Sequence, residues 1–138
     1  MFLALWTSLN AAGQNDQNDI VVIVHKNNPT EQMSHSQVID LFMGKYVAFP
    51  NGDKARALDL HDSSEVKKQF YQALVKMSLA RVNAYWSRIK FTGRARPPEM
   101  YDDENALLDY VSQTHDAIAY IPRSMLNNNV KIVYEFHE

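Results

Sequence analysis

Ile20-Val21-Val22-Ile23-Val24 is an unbroken run of β-branched residues, and no other stretch restricts the fold as much. Such side chains lose rotamer freedom in a helix and pack well on a pleated surface. A strand with one wet face alternates apolar and polar residues. An unbroken apolar run calls for cover on both faces, as in a parallel sheet with helices on each side. The rest of the chain supplies those helices. Val38, Leu41 and Phe42 fall at i, i+3, i+4 within 34–43, with Gly44 as the stop. Val66, Phe70, Ala73, Leu74 and Met77 form the stripe of a second helix. Ser78 is placed to cap a third, with Val82, Tyr85, Trp86 and Ile89 on its core face. Asp102 or Asp103 opens a fourth, with Leu107, Leu108, Tyr110 and Val111 inward.

Between the helices lie further strands. Residues 55–60 and 116–122 read as the second and third, and Val130, Ile132, Tyr134 and Phe136 alternate in a last strand with one polar side. The Asn51-Gly52 pair marks a turn, and Gly93 with Pro97-Pro98 ends the third helix. No repeat or low-complexity linker divides the chain. Strands interleaved with helices predict an α/β fold with a mostly parallel sheet flanked by helices. In such sheets ligands sit beyond the carboxyl ends of strands, at helix N-termini.

At 138 residues the chain has room for one domain, and 46% hydrophobic with 22% charged residues is a globular composition. The formal net charge of −2 leaves no basic excess for neutralising phosphates, so nucleic acid is not an expected partner. The absence of cysteine excludes disulfides, thiol catalysis and cysteine-based metal sites. At the start, an apolar stretch from Phe2 to Leu9 gives way to Ala11-Ala12-Gly13 and then to polar residues. That order matches the end of a secretory signal, without its basic beginning. Residues 1–18 are therefore read as a signal-peptide remnant and flexible start, and 19–138 as the domain. The apolar run is too short to span a membrane.

Chemistry-bearing residues gather in two places. In "LHDSSEVKKQF", from Leu60 to Phe70, a helix opens with Ser63, Ser64 and Lys67 at its mouth. Free N–H groups and the positive end of the helix dipole there favour an anion, and Ser63, Ser64 and Lys67 could donate to it. The competing reading is self-capping: Asp62 and Glu65 have the spacing of a capping box, and a carboxylate in the first turn repels an anion. In "FTGRARPPEMYDD", Arg94 and Arg96 could grip a carboxylate or phosphate, or pair with Glu99, Asp102 or Asp103 on a solvated loop. His25, His35, His61, His115 and His137 show no metal-ligand spacing. No nucleophile elbow, phosphate loop or dinucleotide fingerprint occurs, and no sequence pattern pairs two carboxylates as acid and base. The expectation is a protein that is not an enzyme, with no catalytic residues, no metal and no cofactor.

Five segments in order, "VVIVHKNNP", "SQVIDLFMGKYVAFPNG", "HDSSEVKKQFY", "NAYWSRIKFTGRARPPE" and "DAIAYIP", carry a resemblance from Ile20 to the C-terminus. Together they resemble the phosphate-type periplasmic substrate-binding proteins of ABC transporters, in their short, single-domain form. The resemblance implies one lobe of a type II periplasmic-binding-protein-like fold, a periplasmic location, and phosphate or another small oxyanion as solute. It implies ligand contacts from Ser63, Ser64 and Lys67, with Arg94 and Arg96 from the neighbouring loop. A membrane transporter or sensor protein is the implied partner. A pocket needing two walls would call for a partner chain or a homodimer, and a half-site binds weakly. The chain departs from the phosphate-binding members at the mouth. Leu60 stands where they carry an arginine, Ser63 and Glu65 where they carry glycines, and Val66 where they carry a threonine; Ser64 is kept. One cation and one hydroxyl are lost and a carboxylate is added. The alternative function is accordingly a ligand-free protein-interaction module built on the same lobe.

Overall fold

The computed structural model describes residues 19–93 and 95–136. The expected signal remnant, Arg94 and His137 lie outside the described residues. Five strands, β1 (Ile20–His25), β2 (Arg56–Leu60), β3 (Glu99–Tyr101), β4 (Ala117–Pro122) and β5 (Val130–Glu135), form one sheet in the order β3-β2-β4-β1-β5. Four α-helices, α1 (His35–Phe42), α2 (Glu65–Val75), α3 (Leu79–Thr92) and α4 (Glu104–Gln113), connect the first four strands, with α2 and α3 in succession between β2 and β3. The fold is α/β, as expected, with helices flanking a mostly parallel sheet. β2 pairs in parallel with β3 and β4.

β1 departs from the expectation. Val21 to Val24 are wholly buried, but the strand runs antiparallel to both β4 and β5. It is the one strand of the five reversed against the rest. Burial of both faces demands an apolar run whatever the direction of the neighbours. β3 was not foreseen in the sequence: "EMY" is too short to show a period, and it pairs Leu58↔Glu99 through Leu60↔Tyr101. The alternation expected of β5 also breaks. Val22 pairs with Tyr134 but Ile23 with Ile132, leaving Val133 as the extra residue of a bulge. Val130 and Val133 are therefore the buried residues, and the Val133 carbonyl accepts a hydrogen bond from the Met33 N–H at 2.9 Å.

The pleat assigns the two faces. Leu60 and Tyr101 are in register, and Tyr101 lies 5.5 Å from Tyr110 of α4, so Leu58 and Leu60 face α4. Asp59 and Met100 are likewise in register and point the other way, toward α2. On that side Phe42, Phe70, Tyr71 and Tyr120 form an aromatic cluster against β4.

Helix ends follow local chemistry. Ser34 and Gln37 make a capping box on α1, Ser78 caps α3, and Asp103, one of the two expected candidates, caps α4. Gly44 lies just beyond the end of α1 with φ +75, and a Cβ there would sit 2.7 Å from the Trp86 indole. Gly44→Ala therefore combines a left-handed backbone penalty with overpacking, and a loss of about 2–3 kcal/mol is expected in urea unfolding. A loss under ~0.5 kcal/mol would mean that Trp86 yields freely.

Candidate functional site

The carboxyl end of β2 delivers an aspartate into the interior. In "RALDL" the side chains alternate, so Asp59 points away from Leu58 and Leu60, onto the α2 face, and is only 4% exposed. α2 answers with Lys67, Phe70, Tyr71 and Leu74, spaced i, i+3, i+4, i+7 on one stripe. Asp59 accepts from the Tyr71 hydroxyl at 2.7 Å, from the Tyr120 hydroxyl, and from the Leu60 N–H at 2.8 Å. The Lys67 ammonium, also 4% exposed, stands 3.8 Å from it. Burial raises the Asp59 carboxyl above its ordinary value, against Lys67 and the three donors that pull it down. Burial and the Asp59 charge push both tyrosine hydroxyls well up, so they remain donors.

Lys67 looks outward as well. Its Nζ donates to Asp62 Oδ1 at 2.7 Å and lies 3.6 Å from the Met100 sulfur. Asp62 takes a second bond, 2.9 Å, from Asn83 of α3, and so ties the loop to two helices. The Lys67 hydrogen bond, helped by Asn83, holds the Asp62 carboxyl below its ordinary 3.8. A lowered carboxyl stabilises the fold above pH 3.8, and that contribution is lost as pH falls through the depressed value. Asp59 has the opposite sign: its contribution is full below 3.8 and is lost as pH rises through its raised value. Asp62→Asn is accordingly expected to be less stable than the parent at pH 7, with the gap closing in acid unfolding below 3.8. A gap that stays constant with pH would refute the Lys67–Asp62 pairing.

The mouth of α2 is capped by its own chain. The N-cap is Ser64, whose Oγ accepts the Lys67 N–H at 3.0 Å. Self-capping was one of the two readings offered by the sequence, but the residues differ. Asp62 is spent on Lys67 and Asn83, while Glu65 is the first helical residue and pairs loosely with Lys68 at 3.7 Å. Ser63 is exposed in the turn before the cap. His61 binds Asp102 across the mouth at 3.0 Å. The carboxylates of Asp62 and Glu65 thus stand in the turn and first residue of the helix end, and that of Asp102 is tied to the same turn through His61. Ser64→Ala removes the cap and is expected to cost about 0.5–2 kcal/mol in thermal or urea unfolding. No loss would mean that water or Asp62 replaces it.

Beside the mouth is a cleft of about 250 Å³. Asp59, Asp62 and Lys67 line it from below, Val82, Asn83, Trp86, Ser87 and Lys90 from α3, and Pro97, Pro98 and Met100 from the strap before and within β3. Of the described candidate residues Lys67 lines this cleft; Ser63, Ser64 and Arg96 do not. Arg96 lines a separate cleft of about 450 Å³ with Lys54, Arg56, Glu99 and Asp116, on the far side of Pro97-Pro98. Of the acids that sequence offered to the arginines, Asp102 is taken by His61 and Asp103 by the α4 cap. Four histidines carry structural contacts. His25 packs against His115 with ring centroids 4.0 Å apart and planes tilted by 31°, His35 links Leu74 O to the Tyr134 hydroxyl, and His61 holds Asp102.

Sequence reasoning missed Asp59, Tyr71, Tyr120 and Asn83. One signal was available: a carboxylate inside an apolar strand must find donors, and the lysine and tyrosine four apart on the next helix are such donors.

No protein-family model matches the sequence, and no curated protein matches it. Solved structures do match the fold. A Clostridium perfringens protein named as a phosphate ABC transporter substrate-binding protein, solved with phosphate bound, superposes with a TM-score of 0.67 at 20% identity. The match covers 83% of this chain and 44% of that one. An ABC-type phosphate transport receptor from Vibrio cholerae superposes with a TM-score of 0.66 at 13% identity, covering 83% of this chain and 45% of that one. The chain spans less than half the length of either protein, and the likeness is one of fold.

Proposed function

We propose that this chain serves an ABC-type uptake or sensing system in the periplasm as a solute-binding lobe, and that its solute sits over Lys67 in the cleft beside α2. The fold shared with two phosphate-transport proteins supports the solute-binding part. The observation that carries the reading is Lys67 itself. Its ammonium has three N–H donors, and among the described residues it makes one hydrogen bond to oxygen, with Asp59 too distant at 3.8 Å. A buried donor so placed, opening on a cleft at the carboxyl end of a parallel strand, is where an open α/β sheet holds a ligand. Export through residues 1–18 and work alongside a membrane transporter or sensor belong to the same proposal.

A second reading, a ligand-free protein-interaction module, is favoured by the capped mouth and its three carboxylates. Calorimetric titration of the folded chain with phosphate, sulfate and small metabolites separates the readings. Phosphate is expected to bind no better than about 1 mM, since a dianion over Lys67 meets the carboxylates of Asp59 and Asp62. Micromolar phosphate binding, strengthened by Glu65→Gly and weakened by Ser64→Ala, would instead establish an oxyanion site at the mouth. No heat from any solute would leave the interaction module.

A further inference from the structure

We infer that the cleft over Lys67 selects a small solute of zero net charge that both donates and accepts hydrogen bonds, a polyol or a zwitterion, and rejects phosphate and sulfate. The inference rests on the solute-binding reading above and names the solute class for that cleft. Its charges cancel: Asp59 and Asp62 carry two negative charges against the two positive charges of Lys67 and Lys90. The buried ammonium is already matched by Asp62 at 2.7 Å and Asp59 at 3.8 Å, so it offers an incoming group donors and no uncompensated charge. An oxyanion reaching Lys67 would lie against both carboxylates. A hydroxyl or a zwitterion's carboxylate can accept from Lys67 while its own donors face Asp62.

α3 supplies a polar edge to the cleft. Asn83 and Ser87 are one turn apart on the same helix face, with Lys90 following at i+3, and Val82, Trp86 and Pro97 give apolar wall. A cleft of about 250 Å³ holds roughly eight waters at the volume each occupies in the liquid, the room of a monosaccharide or a small amino acid. Apolar walls with a few convergent donors and acceptors suit a hydroxyl-rich or zwitterionic solute.

The test is calorimetry on the full chain with L-serine and glycine as zwitterions, glucose and myo-inositol as polyols, and phosphate and sulfate as anions, each up to about 10 mM. At least one uncharged or zwitterionic probe is expected to bind, with no competition from sulfate, and the arm that binds identifies zwitterion or polyol. Ser87→Ala, a change on an exposed helix face, is expected to weaken that binding about tenfold, as is Asn83→Ala where the variant folds. Binding that neither substitution affects would overturn the assignment to this cleft. Binding of phosphate or sulfate alone, lost in Lys90→Gln, would overturn the solute class and leave the solute-binding reading standing. No binding by any probe would remove both.

Discussion

Asp59→Ala is expected to destabilise the chain by about 3–5 kcal/mol, read as a lower urea midpoint at unchanged slope. The substitution removes one carboxylate and leaves behind its three donors, the Tyr71 and Tyr120 hydroxyls and the Leu60 N–H, together with the facing Lys67 ammonium. The Tyr71 and Tyr120 hydroxyls lose their acceptor in the interior, and the Lys67 ammonium loses the nearer-to-core of its two counter-charges. Asp62 remains to hold Lys67, but half of that side chain is in solvent. Asp59→Asn keeps the shape and an acceptor oxygen, so its cost is expected to be smaller. The double substitution Asp59→Ala with Lys67→Met is expected to cost less than the sum of its singles, because the methionine carries no charge to strand. Additive losses, or a single-site loss under ~1 kcal/mol, would mean that water reaches the carboxylate and the network is not a closed one.

That network also marks where sequence stops being informative. The run Ile20 to Val24 announces a strand covered on both faces, because burial alone requires it. Its reversal between β4 and β5 is invisible, because burial is the same for either direction of the neighbours. β3 has three residues and exists because β2 offers it an edge; no window over "EMY" contains that information. The Val133 bulge shifts an alternation that looked unbroken in the chain. At the mouth of α2, three acceptors compete within three residues, Asp62, Ser63 and Ser64. Local spacing allowed Asp62 to be the cap. Ser64 takes the role because Asp62 is drawn away by Lys67 and by Asn83, which is 21 residues distant in sequence. Lys67 was legible as a candidate donor. Its burial was not, since the stripe read from apolar residues began at Val66, while the buried stripe runs through Lys67, Phe70, Tyr71 and Leu74.

Phe70→Ala is expected to cost about 3–5 kcal/mol, the range for removing a large aromatic from a packed core. Its ring is wholly buried, stacks on Tyr120 at 3.9 Å with the planes 3° apart, and meets Phe42 and Tyr71 edge-on at 5.0 and 5.1 Å. The loss should reach beyond the cavity. Tyr120 holds Asp59, and Asp59 faces Lys67, so the ring that fixes Tyr120 also fixes the floor of the cleft. Phe70→Ala and Asp59→Ala should therefore couple, with a double-substitution cost that falls short of the sum by about 0.5–3 kcal/mol. Urea unfolding of the parent, the two singles and the double measures that coupling. Strict additivity would show that the aromatic stack supports the core alone. Coupling would place Phe70 among the residues that position the Asp59–Lys67 pair, and cleft-binding solutes should then weaken in Phe70→Leu even where the fold persists.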